Sequence, residues 1–127
     1  MTRPRILIVE DQADVRKLIV LSLGHDDYDL VEAADGPSAL AACERQPPDV
    51  LLLDLMLPGG LDGIEICRQV RQNPQLANAR VVLMTAADQA VQRERAAEAG
   101  VDAYFPKPFS PKELRDLVTS MLPDGRG

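Results

Sequence analysis

The chain has no tryptophan, one histidine and two cysteines, and its rings are two tyrosines and two phenylalanines, 3% of 127 residues. With so few aromatics there is no stacking platform for single-stranded nucleic acid, and the core must be built from Leu, Val, Ile and Ala. Positive charge is short as well. The 14 Lys and Arg stand against 20 Asp and Glu, and the net charge of −6 repels a polyphosphate backbone, so direct nucleic-acid binding is not expected. Cys43 and Cys67 have no second Cys or His at ligand spacing and read as buried structural thiols. The lone His25 falls in the helix-breaking run Gly24-His25-Asp26-Asp27 and reads as solvated surface. Nowhere do some 18 apolar residues follow one another, and there is no repeat or low-complexity segment. A soluble, cytoplasmic protein without a membrane span is the expectation.

What is present is a series of short aliphatic runs that end in polar residues. Val50-Leu51-Leu52-Leu53 has the unbroken pattern of a strand buried on both faces, and it delivers Asp54 at its end, ahead of the turn-forming Pro58-Gly59-Gly60. Alone, Asp54 could equally be a strand-ending or capping aspartate. Ile6-Leu7-Ile8-Val9 repeats the pattern and ends in Glu10-Asp11; Arg80-Val81-Val82-Leu83-Met84 ends in Thr85. Two further strands are expected over Tyr28–Ala33 and Asp102–Phe105. Helical spacing fills the gaps. Val15, Leu18, Ile19 and Ser22 mark the first helix, with Asp11 or a neighbour as its cap; Ala39, Leu40, Ala42 and Cys43 mark the second, which stops before Pro47-Pro48. The third runs from Gly63 to Arg71 with Asp62 as N-cap, and the fourth, polar and therefore exposed, from Gln89 to Ala99 with Gly100 closing it. The fifth runs from Pro111 to Met121 through Leu114, Leu117 and Val118. This length and 46% apolar content fit one domain, taken as 1–122, with 123–127 a polar tail or the start of a linker.

Five strands alternating with five helices, joined by right-handed crossovers, give an α/β fold: a single doubly wound parallel sheet with helices on both faces. All strand ends then share one edge, which gathers Glu10, Asp11, Asp54, Thr85 and Lys107 although they are far apart in sequence. Three carboxylates in one cleft repel unless a cation joins them. Oxygen donors without Cys or His suit a hard ion, and Mg²⁺ uses few carboxylates while keeping several waters. A lysine opposite such a metal leaves room for one anion, with the Thr85 hydroxyl as a donor to it, and phosphoryl is the natural occupant.

The arrangement resembles the receiver domain of bacterial response regulators, the flavodoxin-like fold of the chemotaxis receiver, over essentially the whole chain. The resemblance rests on Ile8-Val9-Glu10-Asp11, on Asp54 with Met56-Leu57-Pro58 and Asp62-Gly63, on Thr85-Ala86, and on Tyr104-Phe105-Pro106-Lys107-Pro108-Phe109. It implies strand order 2-1-3-4-5 and a cis Lys107-Pro108 bond. It also implies that Asp54 is the phosphoacceptor, that Glu10, Asp11, Asp54 and the Met56 backbone carbonyl hold Mg²⁺, and that Thr85 and Lys107 contact the phosphoryl group. Thr85 and Tyr104 would form the switch, altering the face built by the fourth helix, fifth strand and fifth helix. The implied partners are a sensor histidine kinase or phosphotransfer domain and an effector domain or protein bound through that face. The implied activity is signalling, not that of an enzyme with an external substrate: the receiver catalyses its own phosphorylation and, because Met56 and Ala87 cannot orient a water, only slow dephosphorylation.

Two features depart from the family pattern. Three residues rather than two separate Pro58 from Asp62-Gly63, and Ala103 and Leu117 stand where winged-helix-linked receivers carry an Asp and an Arg, leaving Arg93 and Glu113 to form one pair of that charge network. Two rival readings lack residues that their chemistry needs. A haloacid-dehalogenase-like aspartyl-phosphate hydrolase needs an acid/base Asp two residues beyond the nucleophile, where this chain has Met56; a flavodoxin-like electron carrier needs a Ser/Thr/Gly phosphate cradle, where this chain has Glu10-Asp11.

Overall fold

A computed structural model describes residues 3–86 and 93–122. In chain order the elements are β1 (Arg5–Val9), α1 (Ala13–Leu23), β2 (Asp29–Ala33), α2 (Gly36–Arg45), β3 (Val50–Asp54), α3 (Gly63–Gln72), a 3₁₀ turn (Pro74–Leu76), β4 (Arg80–Ala86), α4 (Arg93–Ala99), β5 (Ala103–Lys107) and α5 (Pro111–Met121). The five strands form one parallel sheet in the order β2-β1-β3-β4-β5. No described helix is long and apolar enough to cross a membrane.

The strand period of two divides the core. Leu7, Val9, Leu51, Leu53, Val81 and Leu83 face Ala39, Ile64, Ile66, Cys67, Val70 and Ala96, so α2, α3 and α4 cover one side. Ile6, Ile8, Val50, Leu52, Val82 and Met84 face Ile19, Leu23, Leu114 and Val118, so α1 and α5 cover the other. Every residue of β3 is buried, as its unbroken aliphatic run requires of a central strand. Both cysteines are buried free thiols; burial pushes Cys43 up to about 11.

Local chemistry differs from the sequence expectation at several points. Helix α1 begins after Gln12, the neighbour of Asp11; Gln12 holds the N-cap position but makes no side-chain cap hydrogen bond. The stripe α1 buries is Ile19, Ser22 and Leu23, whereas Leu18 is 47% exposed: a helix lying on a sheet buries a narrow stripe, and Leu18 falls beside it. Ser22 tolerates burial because its hydroxyl donates to the Leu18 carbonyl at 2.7 Å. Strand β5 extends to Lys107 and takes in Pro106, which an edge strand paired only with β4 accommodates. Helix α4 is described from Arg93; its expected start at Gln89 lies outside the described residues, as does the tail 123–127. From Arg93 to Ala99 only Ala96 and Ala99 are buried, the exposure its polar sequence demands. The Lys107-Pro108 bond is cis.

The lengthened loop is absorbed by two consecutive glycines, Gly59 and Gly60, with φ of 84° and 83°, a conformation that side-chain-bearing residues resist. Beyond it, Asp62 caps α3 by accepting from the Glu65 amide at 2.9 Å. Gly63 then lets the helix start against the end of β3. A Cβ there would lie 2.6 Å from the Asp54 carbonyl oxygen and 2.7 Å from Leu83 Cδ1. Because backbone cannot give way as a side-chain tip can, Gly63→Ala should cost about 1–3 kcal/mol, read as a lowered denaturation midpoint with unchanged m-value.

Candidate functional site

Each acidic residue is placed by a strand end. The buried β1 carries Glu10 just past Val9, and its amide continues the β1–β2 pairing by donating to the Ala33 carbonyl at 3.1 Å. Asp54 is the last residue of β3, in register with Met84. Glu10 is fully buried and Asp54 nearly so, while Asp11 reaches solvent. One oxygen from each of the three lies within 4.8 Å of the others. Such crowding of carboxylates is costly without a counter-charge.

That charge comes from the sheet's far edge. Lys107, the last residue of β5, donates from Nζ to Glu10 Oε1 at 2.8 Å and to Asp54 Oδ1 at 3.3 Å. Burial works against its ammonium, but the Glu10 hydrogen bond and the two carboxylates outweigh it and hold Lys107 above the ordinary lysine value. Asp54 moves the same way for a different cause: burial first, then repulsion from Glu10, push it up to about 6 despite Lys107. One lysine therefore does not neutralise the cluster.

The remaining expected residues enter through strand position. Thr85 is buried near the end of β4, its hydroxyl donating to the Ala86 carbonyl at 3.2 Å, and it stands in register with Pro106, one residue before Lys107. Tyr104 is in register with Leu83, two residues before Thr85, so both occupy one face of the sheet. The Tyr104 ring packs against the α2–α3–α4 core, with the Arg93 guanidinium 4.8 Å above its centroid. Arg93 and Glu113 form no ion pair. Arg93 lies over Tyr104, and Glu113 is committed to the capping box that starts α5, accepting from the Ser110 amide at 2.9 Å. Met56 follows two residues after Asp54 with its side chain largely exposed, and Ala87 lies outside the described residues. His25 is exposed, as a loop histidine should be.

One residue escaped the sequence reading. Arg16, on the first turns of α1, donates from one terminal nitrogen to the Glu10 carbonyl at 2.8 Å and from Nε to Glu32 Oε1 at 3.0 Å. The available signal was a basic residue soon after Glu10-Asp11 together with an acid on the neighbouring strand; neither is distinctive before the β1–β2 register is known. The Gln12 amide adds a bond to Glu10 Oε2 at 3.1 Å.

An oxygen-only donor set on fixed strand ends, still net negative after its lysine, fits a hard metal ion. A cation and a lysine facing one another across a carboxylate fit an anion between them.

Comparison with known proteins agrees with this geometry. Residues 6–119 match the family model of the response regulator receiver domain. Over 118 residues the chain is 39% identical to the alkaline phosphatase synthesis transcriptional regulatory protein PhoP of Bacillus subtilis, covering 93% of this chain and 48% of that protein. It is 41% identical to the phosphate regulon transcriptional regulatory protein PhoB of Escherichia coli, covering 93% and 51%. Among solved structures, the chemotaxis response regulator CheY4 of Vibrio cholerae superimposes with a TM-score of 0.88 at 26% identity, over 95% of this chain and all of that one. The receiver domain of AraT from Geobacillus stearothermophilus gives 0.84 at 30% identity, over 94% and 93%. The chain belongs to the response regulator receiver domain family, the phospho-accepting switches of two-component signalling. It spans about half the length of the curated relatives it matches.

The raised Asp54 value has a direct consequence for stability. An acid whose value is higher folded than unfolded favours folding fully below its unfolded value, here 3.8, and loses that contribution as pH climbs through about 6. Without metal, Asp54→Asn should therefore be more stable than the unsubstituted protein at pH 7.5, by about 1 kcal/mol after allowing for solvent in an open cleft, and this advantage should disappear near pH 4. Thermal melts in EDTA across that range check it.

Proposed function

We propose that Asp54 is the phosphoacceptor, that the donor is a phosphohistidine of a sensor kinase or phosphotransfer domain, and that Mg²⁺ is the cation the site takes. The observation that carries this reading is the convergence of Glu10, Asp11 and Asp54 within 4.8 Å beside Lys107 at the carboxyl edge of a parallel sheet. Glu10, Asp11, Asp54 and the Met56 carbonyl would hold Mg²⁺, which when bound supplies charge neutralisation for the transferring phosphoryl oxygens.

The chain's own residues do the rest. Asp54, with its carboxylate fixed at the end of a rigid strand, is the nucleophile: its oxygen forms the new bond to phosphorus while the donor's phosphorus–nitrogen bond breaks and the imidazole departs. Lys107, already on Asp54, turns its remaining donor capacity to a phosphoryl oxygen. Thr85 donates its hydroxyl to another, giving up the Ala86 carbonyl. Movement of Thr85 toward the phosphoryl leaves space on the face it shares with Tyr104, and the ring follows, remodelling the surface of α4, β5 and α5 that an effector reads. The domain unit is residues 1–122, with 123–127 a tail or linker. A separate effector domain or partner protein provides the output.

Neither Met56 nor Ala87 offers a group that activates or orients water, so the aspartyl phosphate persists. The test uses intact mass spectrometry with a small acyl-phosphate donor. The unsubstituted protein should gain one phosphoryl mass with Mg²⁺ and none in EDTA, Asp54→Asn should gain none under either condition, and the label should decay slowly once donor is removed. Equal labelling of Asp54→Asn would overturn the assignment.

A further inference from the structure

The carboxylate at Glu10 is useful only if it points into the cleft, and β1 ends at Val9, before it. The ladder reaches the Glu10 amide, which donates to the Ala33 carbonyl, and something beyond it has to fix the Glu10 carbonyl and the backbone that follows. Arg16 is the side chain that does so. Its side chain is four-fifths buried and the guanidinium spans two elements, with one terminal nitrogen 2.8 Å from the Glu10 carbonyl and Nε 3.0 Å from Glu32 on β2. In register terms Glu32 lies opposite Ile8 and Ala33 opposite Val9, so the Arg16 bridge ties the Glu10 carbonyl, just past the last ladder bond from the Glu10 amide to Ala33, back to β2 at Glu32.

From this bridge we infer that Arg16 is a positioning residue for the cation site, acting through the Glu10 backbone. The inference rests on the metal reading given above and adds to it the residue that sets the orientation of Glu10 and Asp11. A rigid fork is needed, because two acceptors on different elements must be held at once. Lysine, a flexible point donor, cannot hold both.

Arg16 also carries a positive charge near the cluster, and charge alone predicts the opposite outcome, since its removal should tighten cation binding. The test separates the two effects. Mg²⁺ affinity is measured by calorimetry on the unsubstituted protein, Arg16→Met, Arg16→Lys and Lys17→Met; the last removes the same charge one residue along the exposed side of α1 without touching Glu10. Partners that orient metal ligands typically contribute 10–100-fold to affinity. Arg16→Met should therefore bind Mg²⁺ about 10–100-fold more weakly, Arg16→Lys should fall between it and the unsubstituted protein, and Lys17→Met should bind as well as the unsubstituted protein or slightly better. Labelling of Asp54 in Arg16→Met should recover at saturating Mg²⁺, which a general loss of structure would not allow. Arg16→Lys keeps the charge and serves alone if Arg16→Met does not fold. Unchanged affinity in the Arg16 variants, or equal weakening in Lys17→Met, would overturn the inference while leaving the metal site intact. Failure of the unsubstituted protein to bind Mg²⁺ would overturn both.

Discussion

The structure depends on one unequal balance of charge: three carboxylates held together at the edge of a buried sheet, with Lys107 alone bonded to two of them. Glu10 is fully buried and Asp54 nearly so, at the ends of two strands that each have a neighbour on both sides. Their repulsion cannot relax by rotation into water. It is met in part by Lys107 at 2.8 and 3.3 Å, and the unmet part adds to burial, the larger cause, in raising the proton affinity of Asp54. A site in that condition favours whatever adds positive charge, and it holds an acceptor oxygen next to a lysine.

The rest of the fold keeps those groups from drifting apart. Strands β1 and β3 are central, so Glu10 and Asp54 are framed by neighbours on both sides, while Lys107 arrives from the opposite edge at the same level because the strands are parallel and in register. Two close approaches complete the frame. Gly63 lets α3 start against the Asp54 carbonyl, and Arg16 ties the backbone at Glu10 to β2. On the face that α3 covers, the β5 edge is less enclosed: Tyr104 is partly buried there, with the Arg93 guanidinium from α4, exposed over its described residues, lying over its ring.

Most of this was legible in the sequence because it is written in continuous runs. Ile6–Val9, Val50–Leu53 and Val81–Met84 can only be buried strands, each ends in a polar residue, and alternation with helices forces the ends onto one edge. The family motifs then supplied the strand order, and with it the roles proposed for the site residues. What the sequence did not show depends on three-dimensional register. Leu18 has the spacing of a core residue yet lies beside the buried stripe of α1. Pro106 looks like a strand terminator but is tolerated at an edge. Arg93 and Glu113, a pair by alignment, are taken by Tyr104 and by the α5 capping box. Arg16 acts on a backbone carbonyl, which no side-chain pattern announces.

The central claim, that the cleft is under-neutralised until a cation enters, can be read at Asp54 itself. Carbon-detected NMR of the side-chain carboxyl, titrated with pH in the absence of divalent metal, should give Asp54 a midpoint near 6, and saturating Mg²⁺ should move it well downward because the added charge favours the ionised form. A midpoint at the ordinary aspartate value in the metal-free protein, unmoved by Mg²⁺, would contradict the account.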